Sequence, residues 1–366
     1  MRGFFDIEVD RKRVFGLDLL RAFAIFCVVH GHGERLLYDT RLNCFTDLPL
    51  PHGVDIFFVM SGFLIGKSLL SYMQKHDESL DRQKIFSFYL RTALRILPNY
   101  LFILIVNYIL VESHVIQGNT QTFSVWYFVT FTQNLFTPFW DFYWESWSLP
   151  VQWWFYILFP LMLALFCRFM KPKQFVPFLC LFFVIFSMGY RIIVTPKTTD
   201  FFWWDIWLRK TVASRMDNIF IGVMAAWVQH YYPEFWDRNA LKSLIFGLVL
   251  FVITNLIPRV IGSLYFNVLH LTLSALAIAL WFPIFTKIKS YKTVAGSIVS
   301  RVSILSYAMF LTNSLIIQVM DKVCPKLIEE QGVAAYFIYW LVVMVVSYLL
   351  YILLERTFIR IRSKIQ

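Results

Sequence analysis

Long apolar runs alternate with short polar segments rich in Lys and Arg along this chain. Runs of spanning length fall near residues 15–36, 53–73, 93–112, 148–167, 174–192, 213–229, 242–257, 263–285, 303–320 and 333–354. Each predicts a helix able to cross a hydrocarbon core of ~30 Å. An eleventh run, SVWYFVTFTQNLF at 124–136, is short for a crossing. If it crossed, every later connection would change sides, so loop charge arbitrates. Ten crossings with the N-terminus inside give the inner segments a roughly three-to-one excess of Lys and Arg over the outer ones. That bias predicts both termini in the cytoplasm and 124–136 as a re-entrant or interfacial segment. The runs at 213–229 and 242–257 are short enough to tilt or break. The expectation is one all-α, polytopic membrane bundle over residues 1–366, with no fused soluble domain and no cleavable leader before the first run.

Composition supports that class. Hydrophobic residues make up 58% of 366 positions and charged residues only 16%, which excludes an ordinary soluble protein. Thirteen Trp and 39 Phe suit a membrane protein with aromatic belts. A net charge of +11 invites a nucleic-acid partner, but Lys and Arg sit between apolar runs, with no dense basic tract. The bilayer is the expected partner, and nucleic acid is not. Cys27, Cys167 and Cys180 fall in apolar runs and read as packing residues, while Cys44 and Cys324 could meet on the outer face. The seven His are scattered without a metal-binding spacing, so no metal is expected.

The buried polar residues carry the chemistry. Arg21 and His32 are eleven residues apart in the first run. Eleven helical steps end only ~20° past three full turns, so both share one face, ~16 Å apart along the axis. His30 lies ~180° from Arg21 and points the other way. Ionisable residues at such depth are costly and mark functional sites. With Arg21, the inner layer contains Lys67, Arg91 and Arg95. Arg91 and Arg95 are four apart on one face, where like charges repel unless an anion lies between them. Lipid headgroups are the plainer anion and a phosphorylated ligand the sharper one. The outer layer contains His32, Asp55, Arg215 and Asp217; a His can serve as base or acid near pH 7, and a nearby carboxylate can fix its tautomer. Trp126, Trp140, Trp144 and Trp147 crowd the segment before the fourth run, either as the ordinary belt or as contacts for sugar rings.

Five ordered motifs now become familiar. GLDLLRAFAIFCVVHGH, HGVDIFFVMSGFLIG at 52–66, FYLRTALRILPNY at 88–100, ESWSLPVQWWFYILFPLML at 145–163 and SRMDNIFIGVMAA at 214–226 together resemble acyltransferase family 3, the integral-membrane acyltransferases. One departure stands out: Gln152 occupies a position where the family usually has Glu, and an amide cannot carry a proton at neutral pH. Glu145 or Asp217 could supply the missing carboxylate.

The resemblance implies transfer of an acyl group, with acetyl expected, from acyl-CoA to a hydroxyl of a glycan, sugar or lipid-linked sugar at the bacterial inner membrane. No tightly bound cofactor is expected. Arg21, Lys67, Arg91 and Arg95 would hold the CoA phosphates, and His32 would act as general base. Asp55, Arg215 and Asp217 complete the expected catalytic layer, with Arg215 the candidate oxyanion donor. Trp144, Trp147 and Gln152 are the expected acceptor contacts. Two other readings remain: a transporter of a polar or anionic molecule, and a catalytically silent binding protein, for which Gln152 speaks.

Overall fold

The computed structural model describes residues 7, 9, 13–46, 48–77, 79–122, 124–290 and 293–362. Most of the mixed-charge N-terminal segment and the last four residues, both expected in the cytoplasm, lie outside the described residues. All ten apolar runs form helices: α1 Phe15–Gly33, α2 Gly53–Lys75, α3 Arg82–Glu112, α4 Ser148–Phe166, α5 Pro172–Val194, α6 Val212–Tyr231, α7 Ala240–Leu256, α8 His270–Ala279, α9 Val294–Val323 and α10 Gly332–Leu350. A π-helical turn, Tyr265–Leu269, leads into α8, and another, Tyr351–Glu355, continues α10. Eight of these segments are long and apolar enough to cross a bilayer. The other two are α6, interrupted by Arg215, Asp217 and Asn218, and α7, which has 17 residues. The chain is therefore an all-α membrane bundle, with no strand among the described residues.

Local chemistry sets several boundaries. The α3 helix begins eleven residues before its apolar run because Asp81 caps it, its Oδ1 accepting from Lys84 N at 2.6 Å. Thr293 caps α9 in the same way, accepting from Gly296 N at 3.2 Å. The 124–136 segment contains only the five-residue helix Val125–Val129, far short of the ~20 residues of a crossing. It folds back over the bundle and is tied down by its own backbone. Tyr100 Oη donates to Phe128 O at 2.9 Å, and Trp154 Nε1 donates to Phe131 O at 2.8 Å.

The central helix is α6, whose residues from Val212 to Val223 are all buried. It packs on α2 with backbones nearly touching. A Cβ on Gly62 would lie 1.9 Å from Ile219 O, and one on Gly222 would lie 2.0 Å from Val59 O. Close approach of this kind is the usual role of small residues between membrane helices. On the other side of α6, Phe155, Phe159, Phe183 and Phe220 form an aromatic cluster, with the Phe183 and Phe220 rings stacked 4.0 Å apart. By contrast, α7 exposes Leu241, Ile245, Phe246, Val249, Val252 and Leu256, a largely apolar face suited to lipid.

Candidate active site

Three helices carry side chains into cavities at both ends of the bundle. Along α3, Lys84, Arg91 and Arg95 line one cavity and Asn107 and Val111 line another. Along α9, Ser306 and Tyr307 face the first, and Ser314, Gln318 and Asp321 face the second. On α1, Arg21 faces the first and His32 the second. The two cavities share Val54 and Phe310 as walls.

The first cavity, about 470 Å³, contains Arg21, Lys84, Arg91 and Arg95, with Ser61, Ser148, Gln152 and Tyr156 among its polar walls. No Asp or Glu lines it among the described residues. Arg21 and Arg95 lie within electrostatic range of each other, and Arg91 Nε donates to Ser87 O at 3.1 Å. Sequence reasoning placed Lys67 here and passed over Lys84. Lys67 is exposed, with its ammonium 5.9 Å from the Phe63 ring centroid, and it does not line the cavity. Lys84 sits three residues after a helix-capping Asp, a position that reads as an ordinary solvated first turn.

The second cavity, about 770 Å³, contains His32, Trp140, Trp144, Glu145, Trp147, Lys210 and Ser314. Ser314 Oγ donates to Glu145 Oε1. Lys210 lies 4.9 Å from the Trp144 ring centroid and pairs with Asp205 at 2.8 Å. Burial lowers the Lys210 pKa, and the Asp205 carboxylate opposes that shift. A third cavity, about 580 Å³, is also lined by His32 and contains Asp55, His52, Arg209, Arg259 and His270. Val54 lines all three cavities, and His32 lines the last two. Gln152, expected beside the acceptor with Trp144 and Trp147, instead faces the cation-lined cavity. There its Oε1 accepts from Tyr156 Oη at 3.1 Å and Ser61 Oγ at 3.3 Å.

His30 has both ring nitrogens engaged, Nδ1 with Tyr336 Oη at 2.9 Å and Nε2 with Phe45 O at 3.0 Å. This is the hydrogen bonding of a structural histidine. Asp55 and Arg215 form a buried ion pair. The fully buried Arg215 guanidinium lies against the Phe58 ring, 5.5 Å from its centroid, and lines none of the three cavities. Asp217 points to the far side of α6. Its Oδ2 accepts from Arg191 Nη2 at 2.7 Å and from Thr272 Oγ1 at 2.5 Å. Arg191 also donates to Val268 O and Ser214 O, locking α5, α6 and α8 together. Thus Asp55 and His32 share a cavity wall, while Arg215 and Asp217 lie behind it. Arg191 escaped sequence reading because an Arg in the last turn of an apolar run looks like a membrane-interface anchor.

An all-α bundle with apolar helices of crossing length, a cation-lined cavity and a histidine-lined one defines an integral-membrane protein with buried polar cavities. Residues 14–355 match the family model described as "Acyltransferase domain", and the chain belongs to that family. It is 28% identical over 275 residues to a Staphylococcus aureus (strain COL) protein described as "Putative O-acetyltransferase", covering 70% of this chain and 39% of the relative. It is 26% identical over 243 residues to O-acetyltransferase OatA of Staphylococcus aureus (strain NCTC 8325), covering 62% and 36% respectively. The chain thus spans well under half the length of these relatives. No solved structure matches it significantly.

Proposed function

We propose that this protein is a membrane-embedded O-acyltransferase that moves an acyl group, acetyl in the first instance, from acyl-CoA to a carbohydrate hydroxyl. The observation that carries this reading is the set of three cavities that share Val54 as a wall, one ringed by four cations without a carboxylate and two sharing His32. CoA is an anion rich in phosphate, and Arg and Lys are the side chains that bind phosphate best. Arg21, Lys84, Arg91 and Arg95 hold those phosphates, and the thioester arm passes between Val54 and Phe310 toward His32. Trp140, Trp144 and Trp147 offer ring faces to a sugar, and Glu145 can accept from its hydroxyls.

In the proposed reaction His32 takes the proton of the acceptor hydroxyl as its oxygen attacks the thioester carbonyl. The tetrahedral intermediate collapses with cleavage of the C–S bond, and CoA leaves as thiolate and takes up the proton from His32. Arg215 lines none of the three cavities, so the oxyanion needs another donor. The Ser148 hydroxyl, buried without a partner on the wall of the cation-lined cavity, is available for that role. The bacterial inner membrane, with the CoA end in the cytoplasm, is the proposed location.

Purified protein supplied with acetyl-CoA and a glycan acceptor tests the reading through release of free thiol. His32→Ala is expected to reduce release by ~10²-fold or more, the typical contribution of a general base, and His30→Ala is not. Folded protein that neither binds acetyl-CoA nor releases thiol would sink the proposal and return the transporter and silent-protein readings to the front.

A further inference from the structure

Two buried polar atoms on the facing helices α1 and α9 lack a well-directed hydrogen-bond partner: His32 Nδ1 and Asn313 Oδ1. Around them Ile25, Val28 and Val29 of α1 pack with Met309, Ile316 and Ile317 of α9 in one buried cluster, so the two unpartnered atoms belong to the same helix–helix seam. The orientation of Asn313 is fixed by its own helix. Its Nδ2 donates to Met309 O at 2.9 Å and to Phe310 O at 2.8 Å, which uses both amide hydrogens. Oδ1 is therefore the end left for another partner, and an amide oxygen can only accept.

We propose that Asn313 is a positioning residue: its Oδ1 accepts from His32 Nδ1–H, which leaves Nε2 unprotonated and directed to the cavities. A histidine base needs its proton on the nitrogen away from the substrate, and in the familiar triads a carboxylate enforces this. Here one carboxylate that shares a cavity wall with it, Asp55, is engaged by Arg215. A neutral amide fixes the same tautomer without adding negative charge that would favour imidazolium. The inference rests on the reading of His32 as general base, and it explains how that base is kept competent.

The test separates the contact from the reaction. Ring ¹⁵N spectra of histidine-labelled protein, with the His32 signals assigned by their absence from His32→Gln, report the tautomer without any turnover. The expected spectrum shows His32 protonated at Nδ1 in the wild type and in Asn313→Asp, and a tautomer mixture in Asn313→Ala. In turnover, Asn313→Ala should lose at least ~10-fold in kcat with little change in the KM for acetyl-CoA. Asn313→Asp, which retains an acceptor at the same place, should recover most of that loss. A wild-type ring protonated at Nε2, or an unchanged tautomer in Asn313→Ala, would overturn the proposal. So would equal kcat losses in the Ala and Asp variants. Turnover surviving in His32→Gln would instead remove the base reading and leave the tautomer result standing on its own.

Discussion

A guanidinium that shares a cavity with three other cations and no carboxylate is held there against repulsion that an anion relieves. Hydrogen bonds to charged groups contribute ~1.5–3 kcal/mol each. Arg91→Ala should therefore weaken acetyl-CoA binding by ~10- to 150-fold in titration calorimetry. Arg95→Ala should weaken it less, because Arg95 is exposed and screened by salt. Lys67→Ala should leave binding within twofold; a loss equal to that of Arg91→Ala would place the phosphates elsewhere. A different outcome awaits the Asp55–Arg215 pair. Removing the Asp55 carboxylate strands a fully buried guanidinium, a change that costs ~3–5 kcal/mol. Asp55→Ala should thus lower the thermal midpoint in detergent before it says anything about catalysis, and an unshifted midpoint would refute the structural role. Sequence periodicity set Arg21 and His32 on one face of α1 and His30 on the other, because a helix face is fixed by ~100° per residue. It could not reveal that Asp55 faces Arg215, since that contact joins helices far apart in the chain.

Hydropathy found every long element because each must bury a continuous apolar length, and it failed where a polar residue decides the boundary. Asp81 carries α3 well past the apolar run, and the π-helical turn at Tyr265–Leu269 opens α8 where a uniform helix was expected. The α2–α6 interface was invisible for another reason: a Gly in an apolar run does not announce which backbone approaches it. The structure supplies that, and with it a contrast between elements. Gly62→Ala would set a methyl group against Ile219 O, so α2 and α6 must separate. Gly189 on α5 has nothing within 4 Å of its added Cβ. Gly189→Ala should be neutral or stabilising by up to roughly 1 kcal/mol through helix propensity. Gly62→Ala should lower both the yield of monodisperse protein and its thermal midpoint. Equal behaviour of the two variants would mean that α2 and α6 do not pack as described.

At the scale of the whole molecule, the decisive property is which end of the bundle faces the cytoplasm. Loop charge predicts that the α3 N-terminus lies inside, and the cation-lined cavity is at that end. The two observations overlap, since Lys84 and Arg91 count in both, and the donor reading needs the orientation they give, because acyl-CoA is supplied from the cytoplasm. Gln83, exposed one residue before Lys84, marks this end; exposed Gln117 marks the opposite end, on the wall of the His32 cavity. All five cysteines are free thiols and can be replaced to give a background for labelling. In that background Gln117→Cys should react with a membrane-impermeant maleimide on intact cells, whereas Gln83→Cys should react only after permeabilisation. Labelling of both from outside would break the ten-crossing topology, since α3 would no longer traverse the bilayer. Reversed labelling would keep the topology but put the four cations on the outer face. Cytoplasmic acyl-CoA could not reach them there, and the cavity would have to serve an external anion instead.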